Sequence, residues 1–183
     1  MAEEFLVNIQ EERLSFFTPA GEVKALNNVS IQMKEGEVLG IVGESGSGKS
    51  VTAYSIMGLT AQNGKIVGGT VDFNGHAIQN MTEKELRKIR GNEVSIIFQD
   101  PMTSLNPVWT IGNQIAEAVS LHTDKKGKAA RDRAKELLEL VGINEPEKRL
   151  KQYPHELSGG EQQRIGILRA IAAKPQVLLM DEP

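Results

Sequence analysis

Residues 43–50 read GESGSGKS, lodged between the apolar run VLGIV at 38–42 and the mixed run VTAYSIMGL at 51–59. A turn between two hydrophobic segments needs one glycine, and this one carries three, with a lysine and a serine at its end. The pattern is Gly, four residues, Gly-Lys-Ser, and it follows a strand-like run and precedes a helix-like one. That context makes the stretch an anion cradle: glycines admit positive φ and close approach, so successive amides converge on phosphate oxygens at the positive end of a new helix.

The residue types then divide the work. Gly43, Glu44, Ser45, Gly46, Ser47, Gly48 and Val51 supply backbone, Lys49 reaches the outer phosphates, and the Ser50 hydroxyl suits a Mg²⁺ that bridges them. Such a loop needs a carboxylate at the end of a neighbouring strand, and VLLMDEP at 177–183 offers one. Asp181 is the expected metal partner, and Glu182 the residue that orients or deprotonates an attacking water. A nucleoside triphosphate with Mg²⁺ is therefore the expected ligand. A solvated Asp-Glu turn is the plain alternative for the acidic pair taken alone.

The rest of the chain organises around these two points. Residues 5–42 alternate apolar and polar positions between turn signals, predicting antiparallel strands that feed one buried strand at 38–42. A helix is expected from the glycine loop to about Leu59, a turn-rich strand region follows to the Asn74-Gly75 pair, and Thr82 with Glu85 forms a capping box. VSIIF at 94–98 is a buried strand. From 101 to 154 the signals are helical, with Ala130, Ala134, Leu137, Leu138 and Val141 on one stripe and Gly142 as its stop. Ser158 and Glu161 make a second capping box for a helix to about Ala173, and a last strand covers 177–180.

Bulk properties exclude several classes. A net charge of −3 does not favour a nucleic-acid role, for which a strongly basic face is expected, and the absence of cysteine rules out disulfides and Cys-ligated metal in these residues. No apolar run approaches the roughly 20 residues that cross a bilayer, and the acidic start does not read as a secretory leader. The chain is expected to be neither membrane-inserted nor exported.

Two further segments identify a family. LSGGEQQR at 157–164 resembles the signature motif of ATP-binding cassette (ABC) ATPases, and IIFQDP at 96–101 resembles their glutamine loop. The order of phosphate loop, glutamine loop, signature and acidic strand end is similar too, across essentially the whole chain. Physically, Ser158 caps a helix whose first turn holds Gly159 and Gly160, each costing about 0.5–1 kcal/mol of helix stability. A capping box explains Ser158 and Glu161 but not the two glycines, which leave a second anion site without a lysine.

The resemblance implies more. The fold would be α/β: a P-loop NTPase, RecA-like core with a largely parallel sheet (residues 37–63, 81–100 and 174–183), an antiparallel β lobe (1–36 and 64–80) and an α-helical lobe (101–173) that includes the signature helix. Two cassettes would pack head to tail, with Ser158, Gly159, Gly160 and Glu161 of one closing over ATP held by the other. Gln99 would bridge Mg²⁺ and the helical lobe. Phe16 stands where the family stacks an aromatic on adenine; Phe17 is an equally placed neighbour, and a core aromatic is as good a reading for either.

GESGSGKSVT, FQDPMTSLNP and TPAGEVKAL further resemble the ATPase subunits of bacterial oligopeptide and dipeptide importers, whose relatives import nickel or glutathione. That implies ATP hydrolysis driving solute uptake from the cytoplasmic face of the inner membrane. The partners would be a second cassette, identical or paralogous, and transmembrane permease subunits that seat a coupling helix beside residues 99–109, Trp109 included. A solute-binding protein would act indirectly. Two alternatives are a soluble ABC ATPase without a transport role and a fragment that binds nucleotide without turnover. The family also continues past an acidic strand end with a strand carrying a switch histidine, a role that His76, His122 and His155 do not fit by position. The chain is accordingly expected to be a truncated subunit whose last core strands are missing.

Overall fold

The computed structural model describes residues 5–99 and 104–182, and these divide into two compact units meeting at residues 88 and 89. Residues 1–4 of the expected β lobe, 100 and 183 of the expected core and 101–103 of the expected helical lobe lie outside the described residues.

The first unit is built on a four-stranded antiparallel sheet. Its strands are β1 (Val7–Thr18), β2 (Gly21–Met33), β3 (Gly64–Phe73) and β4 (His76–Ala77), in the order β2-β1-β3-β4. Val7, Ile9, Leu14, Leu26, Val71 and Phe73 bury one face, as the alternating pattern requires. β3 and β4 join through Asn74 and Gly75, both at positive φ, with Asp72 Oδ1 accepting from the Gly75 amide at 3.0 Å.

β1 is not regular. Its register against β2 shifts between Ile9 and Glu12, and Glu11 adopts φ 47°. The extra residue moves the inward face by one position, so that Glu12 and Leu14 continue the buried set begun by Val7 and Ile9. The opposite strand accommodates the bulge with a glycine: a Cβ on Gly69, at φ +75°, would stand 2.3 Å from the Glu11 carbonyl oxygen. Helix α1 (Lys49–Ile56) packs against this sheet, and α2 (Glu83–Ile89) opens at the capping box in which Glu85 Oε2 accepts from the Thr82 amide at 2.7 Å.

The second unit pairs β5 (Val94–Ile97) and β6 (Val177–Met180) in parallel. Its helices are α3 (Ile111–His122), α4 (Gly127–Leu140), α5 (Pro146–Arg149) and α6 (Gly159–Ile171). Ile111, Ile115, Val119, Ala134, Leu138, Ile165 and Leu168 form one apolar core, into which α4 turns the stripe expected from its spacing. Gly142, at φ +69°, ends that helix by bonding the Glu139 carbonyl at 3.0 Å.

One expectation fails. Residues 38–42 form no strand and are not buried: Val38 is 95% and Val42 97% exposed. An apolar run becomes a parallel strand only with hydrogen-bonded neighbours and cover on both faces. Among the described residues no strand pairs with this one. The helix after the glycine loop is also shorter than expected, ending at Ile56, where the Met57 amide turns back to the Tyr54 carbonyl.

Candidate functional site

Residues 43–50 fold as a loop that feeds α1. Gly46 and Gly48 take φ +80° and +95°, and the Ser47 amide closes a turn on the Glu44 carbonyl at 3.2 Å. Gly48 is required twice over: it is the left-handed residue before the helix, and a Cβ there would stand 2.7 Å from Leu26 Cδ2. At Gly46 nothing lies within 4 Å of a Cβ position, so that side of the loop is open. Lys49 arches back, its Nζ donating to the carbonyls of Gly43 at 2.9 Å and Glu44 at 3.0 Å. The ammonium, the α1 N-terminus and the loop amides thus lie together, an arrangement suited to a polyphosphate.

The helix is tied to the loop and to the sheet by its own hydroxyls. Thr52 Oγ1 donates to the Gly48 carbonyl at 3.0 Å. Ser55 Oγ lies 2.8 Å from the Thr52 carbonyl oxygen and 3.1 Å from Oε2 of Glu12 on β1. Glu12 is completely buried, and burial pushes its carboxyl up to about 7, against a smaller downward pull from the Ser55 hydroxyl.

In the second unit the acidic pair stands at the end of β6. Asp181 is 6% exposed, and its amide bonds the Ile97 carbonyl of β5 at 3.0 Å. Glu182 adopts φ 48°, a conformation costing a non-glycine residue about 1 kcal/mol, and its Oε2 accepts from the Gln99 side-chain amide at 2.8 Å. The structure therefore brings together two of the residues expected to act on the metal and the attacking water. The side-chain oxygens of Gln99 and Asp181 in this unit, and separately the Ser50 hydroxyl in the first, belong to the hard donor class that Mg²⁺ takes. Among the described residues no cluster of three or more His, Cys, Asp or Glu is placed to hold a metal.

The signature helix α6 begins as its sequence implies. Ser158 is its N-cap, Oγ accepting from the Glu161 amide at 3.4 Å, while Glu161 Oε2 accepts from the Ser158 amide at 2.9 Å. Hydrogen bonds from Ser158 hold the Glu161 carboxyl below the usual carboxylate range, with the Arg149 and Arg164 charges acting in the same direction. Open space surrounds Gly160, leaving the first turn bare.

Sequence reasoning missed Arg149, whose guanidinium meets Glu161 Oε1 at 3.1 Å and Gln152 Oε1 at 3.0 Å. Nothing in the local pattern announces this pair, since the partners are twelve positions apart on separate helices. It also missed Gln114, a buried amide that accepts from the Asn106 amide and donates to the carbonyls of Asn106 and Trp109. Trp109 itself is exposed, and the expected groove at 99–109 includes residues outside those described. The Phe16 ring covers Gly64, where a Cβ would stand 2.8 Å from Cε1, and Phe17 is exposed.

A glycine loop that opens a helix, beside an antiparallel sheet, and a parallel strand ending in a buried aspartate define an α/β P-loop NTPase. Residues 26–183 match the family described as ABC transporter, and the chain belongs to that family. It is 48% identical over 97% of its length to the oligopeptide transport ATP-binding protein OppD of Escherichia coli K12, covering 52% of that protein. It is 50% identical over its full length to the dipeptide transport ATP-binding protein DppD of Lactococcus lactis subsp. cremoris, covering 53%. The chain thus spans about half the length of these curated relatives. Among solved structures, a dimeric ATP-binding cassette in a post-hydrolysis state bound to ADP and Pi superimposes with a TM-score of 0.82 at 30% identity. That match covers 95% of this chain and 72% of the other.

Proposed function

We propose that this chain is the nucleotide-binding part of an ATP-driven peptide importer subunit, hydrolysing Mg–ATP to power uptake of oligopeptides or dipeptides. The observation that carries the reading is the Lys49 ammonium folded over the loop carbonyls at the start of α1, a pre-assembled seat for phosphates. Likeness to OppD and DppD supports the peptide class of solute.

Each residue then has a role. Loop amides and Lys49 bind and orient the β- and γ-phosphates, so little reorganisation is left for the reaction itself. Ser50, Asp181 and Gln99 would hold Mg²⁺, which when bound neutralises charge on the phosphate oxygens. Glu182 orients the attacking water and accepts its proton at Oε1 or Oε2, while the Gln99 amide fixes the rotamer from which it does so. Phe16, or its neighbour Phe17, stacks on adenine. Ser158, Gly159, Gly160 and Glu161 present the bare start of α6 to nucleotide held by a second cassette, identical or paralogous. ATP would close that dimer and hydrolysis reopen it.

Permease subunits would dock on the helical unit at the cytoplasmic face of the inner membrane, with the cassette peripheral. Among the described residues no helix is long and apolar enough to cross a membrane. Phosphate release by the full-length protein, compared with Glu182→Gln, tests the reading. Glu182-dependent turnover that rises with a reconstituted permease and a peptide-loaded binding protein supports it; turnover indifferent to Glu182 or to peptide refutes the mechanism or the transport role respectively.

A further inference from the structure

A fully buried carboxyl sits behind the phosphate loop, and no step of the proposed chemistry uses it. Glu12 reaches the inner face of the sheet because the bulge at Glu11 displaces the alternation by one residue. Its Oε2 meets Ser55 Oγ at 3.1 Å, and its Oε1 has no hydrogen-bond partner. From Ser55 a chain of contacts runs to the loop: Ser55 Oγ to the Thr52 carbonyl, then Thr52 Oγ1 to the carbonyl of Gly48.

The hydroxyl of Ser55 has one proton and two neighbouring oxygens. The Thr52 carbonyl can only accept, so when Ser55 donates to it, the contact with Glu12 becomes a hydrogen bond only if Glu12 is the donor. We propose that Glu12 is a positioning residue for the phosphate loop: as a neutral acid it donates to Ser55 Oγ and lets Ser55 hold the Thr52 carbonyl, and its ionisation reverses that order and loosens β1 from α1. On ionisation the acid proton passes to solvent and the Ser55 proton turns from the Thr52 carbonyl to the carboxylate. A buried charge is then left with one hydroxyl for a partner, which favours opening the β1–α1 contact to water. The role rests on the reading of residues 43–50 as a nucleotide seat.

Surrounding charge does not account for the state of this group. Val29 of β2 lies opposite it, and the charged residues on the elements packed around it are Glu11 and Arg13 on β1, Glu22 and Lys24 on β2, Lys65 and Asp72 on β3, and Lys49 on α1. Burial, the larger effect, raises the Glu12 carboxyl and the Ser55 hydroxyl lowers it, which together push it up to about 7.

The test is the equilibrium dissociation constant for Mg–ATP from about pH 6 to about 8.5, measured for the wild type, Glu12→Gln and Ser55→Ala. Glu12→Gln keeps the shape and a permanent N–H donor to Ser55, so it separates positioning from folding. The wild type should weaken about fivefold or more as pH rises through 7, while both variants respond far less. Either variant retaining the wild-type profile, with binding intact, overturns this role and leaves the nucleotide seat standing. Absence of Mg–ATP binding by the wild type at every pH overturns the nucleotide seat and this role with it.

Discussion

The side-chain amide of Gln99 donates to Glu182 Oε2 at 2.8 Å, and the two residues close the carboxyl ends of adjacent parallel strands. Glu182 reaches this contact through a left-handed backbone, so its carboxylate is held rather than free to wander. Removing the base should cost more than removing the group that aims it. Glu182→Gln is expected to lower ATP turnover by about 10²-fold or more with nucleotide affinity kept within a few-fold, and Gln99→Ala to lower it by about tenfold. Steady-state phosphate release beside equilibrium binding checks both.

The start of α6 depends on reciprocal bonds between Ser158 and Glu161. Ser158→Ala should lower unfolding free energy by about 1 kcal/mol in urea denaturation. Because the two side chains act as one unit, Glu161→Ala added to Ser158→Ala should cost less than the two singles summed. Arg149→Ala should cost at most about 1 kcal/mol, since the pair it breaks retains solvent access.

Gly69 faces the β1 bulge at positive φ, against backbone that cannot retreat. Gly69→Ala is expected to destabilise the protein by more than about 1 kcal/mol, whereas Gly75→Ala, with open space around it, pays only for its φ. Thermal melts of the two variants give the comparison.

Glu12 makes stability depend on pH. Its carboxyl lies near 7 when folded against 4.5 in the open chain, so the folded state binds the proton more tightly. The contribution is therefore complete below 4.5 and is lost as pH rises through 7. Between about pH 5.5 and 8 the wild type should lose about 2 kcal/mol relative to Glu12→Gln. Glu85, Glu147 and Glu161 are shifted downward and contribute no slope in that window.

Much of this molecule could be read before it was seen, and what could not has a physical reason. The parallel strands at 94–97 and 177–180, the stripe on α4, the cap at Ser158 and the shape of the 43–50 loop follow from local rules of period, capping and glycine φ. The run at 38–42 departs from the strand its composition predicts because apolar composition says what a strand would bury, not whether a partner strand lies beside it. The burial of Glu12 is not legible in the sequence because strict alternation makes one of Glu11 and Glu12 face inward and the other outward, and only the bulge decides which. Arg149 with Glu161 and Gln114 with its loop are long-range pairings that no local pattern encodes.

Everything proposed about the reaction begins with the phosphate seat at Gly43, Gly46, Gly48 and Lys49. Its most direct test is calorimetric titration of the protein with Mg–ATP, with Lys49→Ala in parallel. The account predicts saturable binding in the wild type and a loss of about tenfold or more in affinity for Lys49→Ala, whose secondary structure stays unchanged by circular dichroism. Equal affinities for the two proteins, or no heat of binding in either, would contradict it.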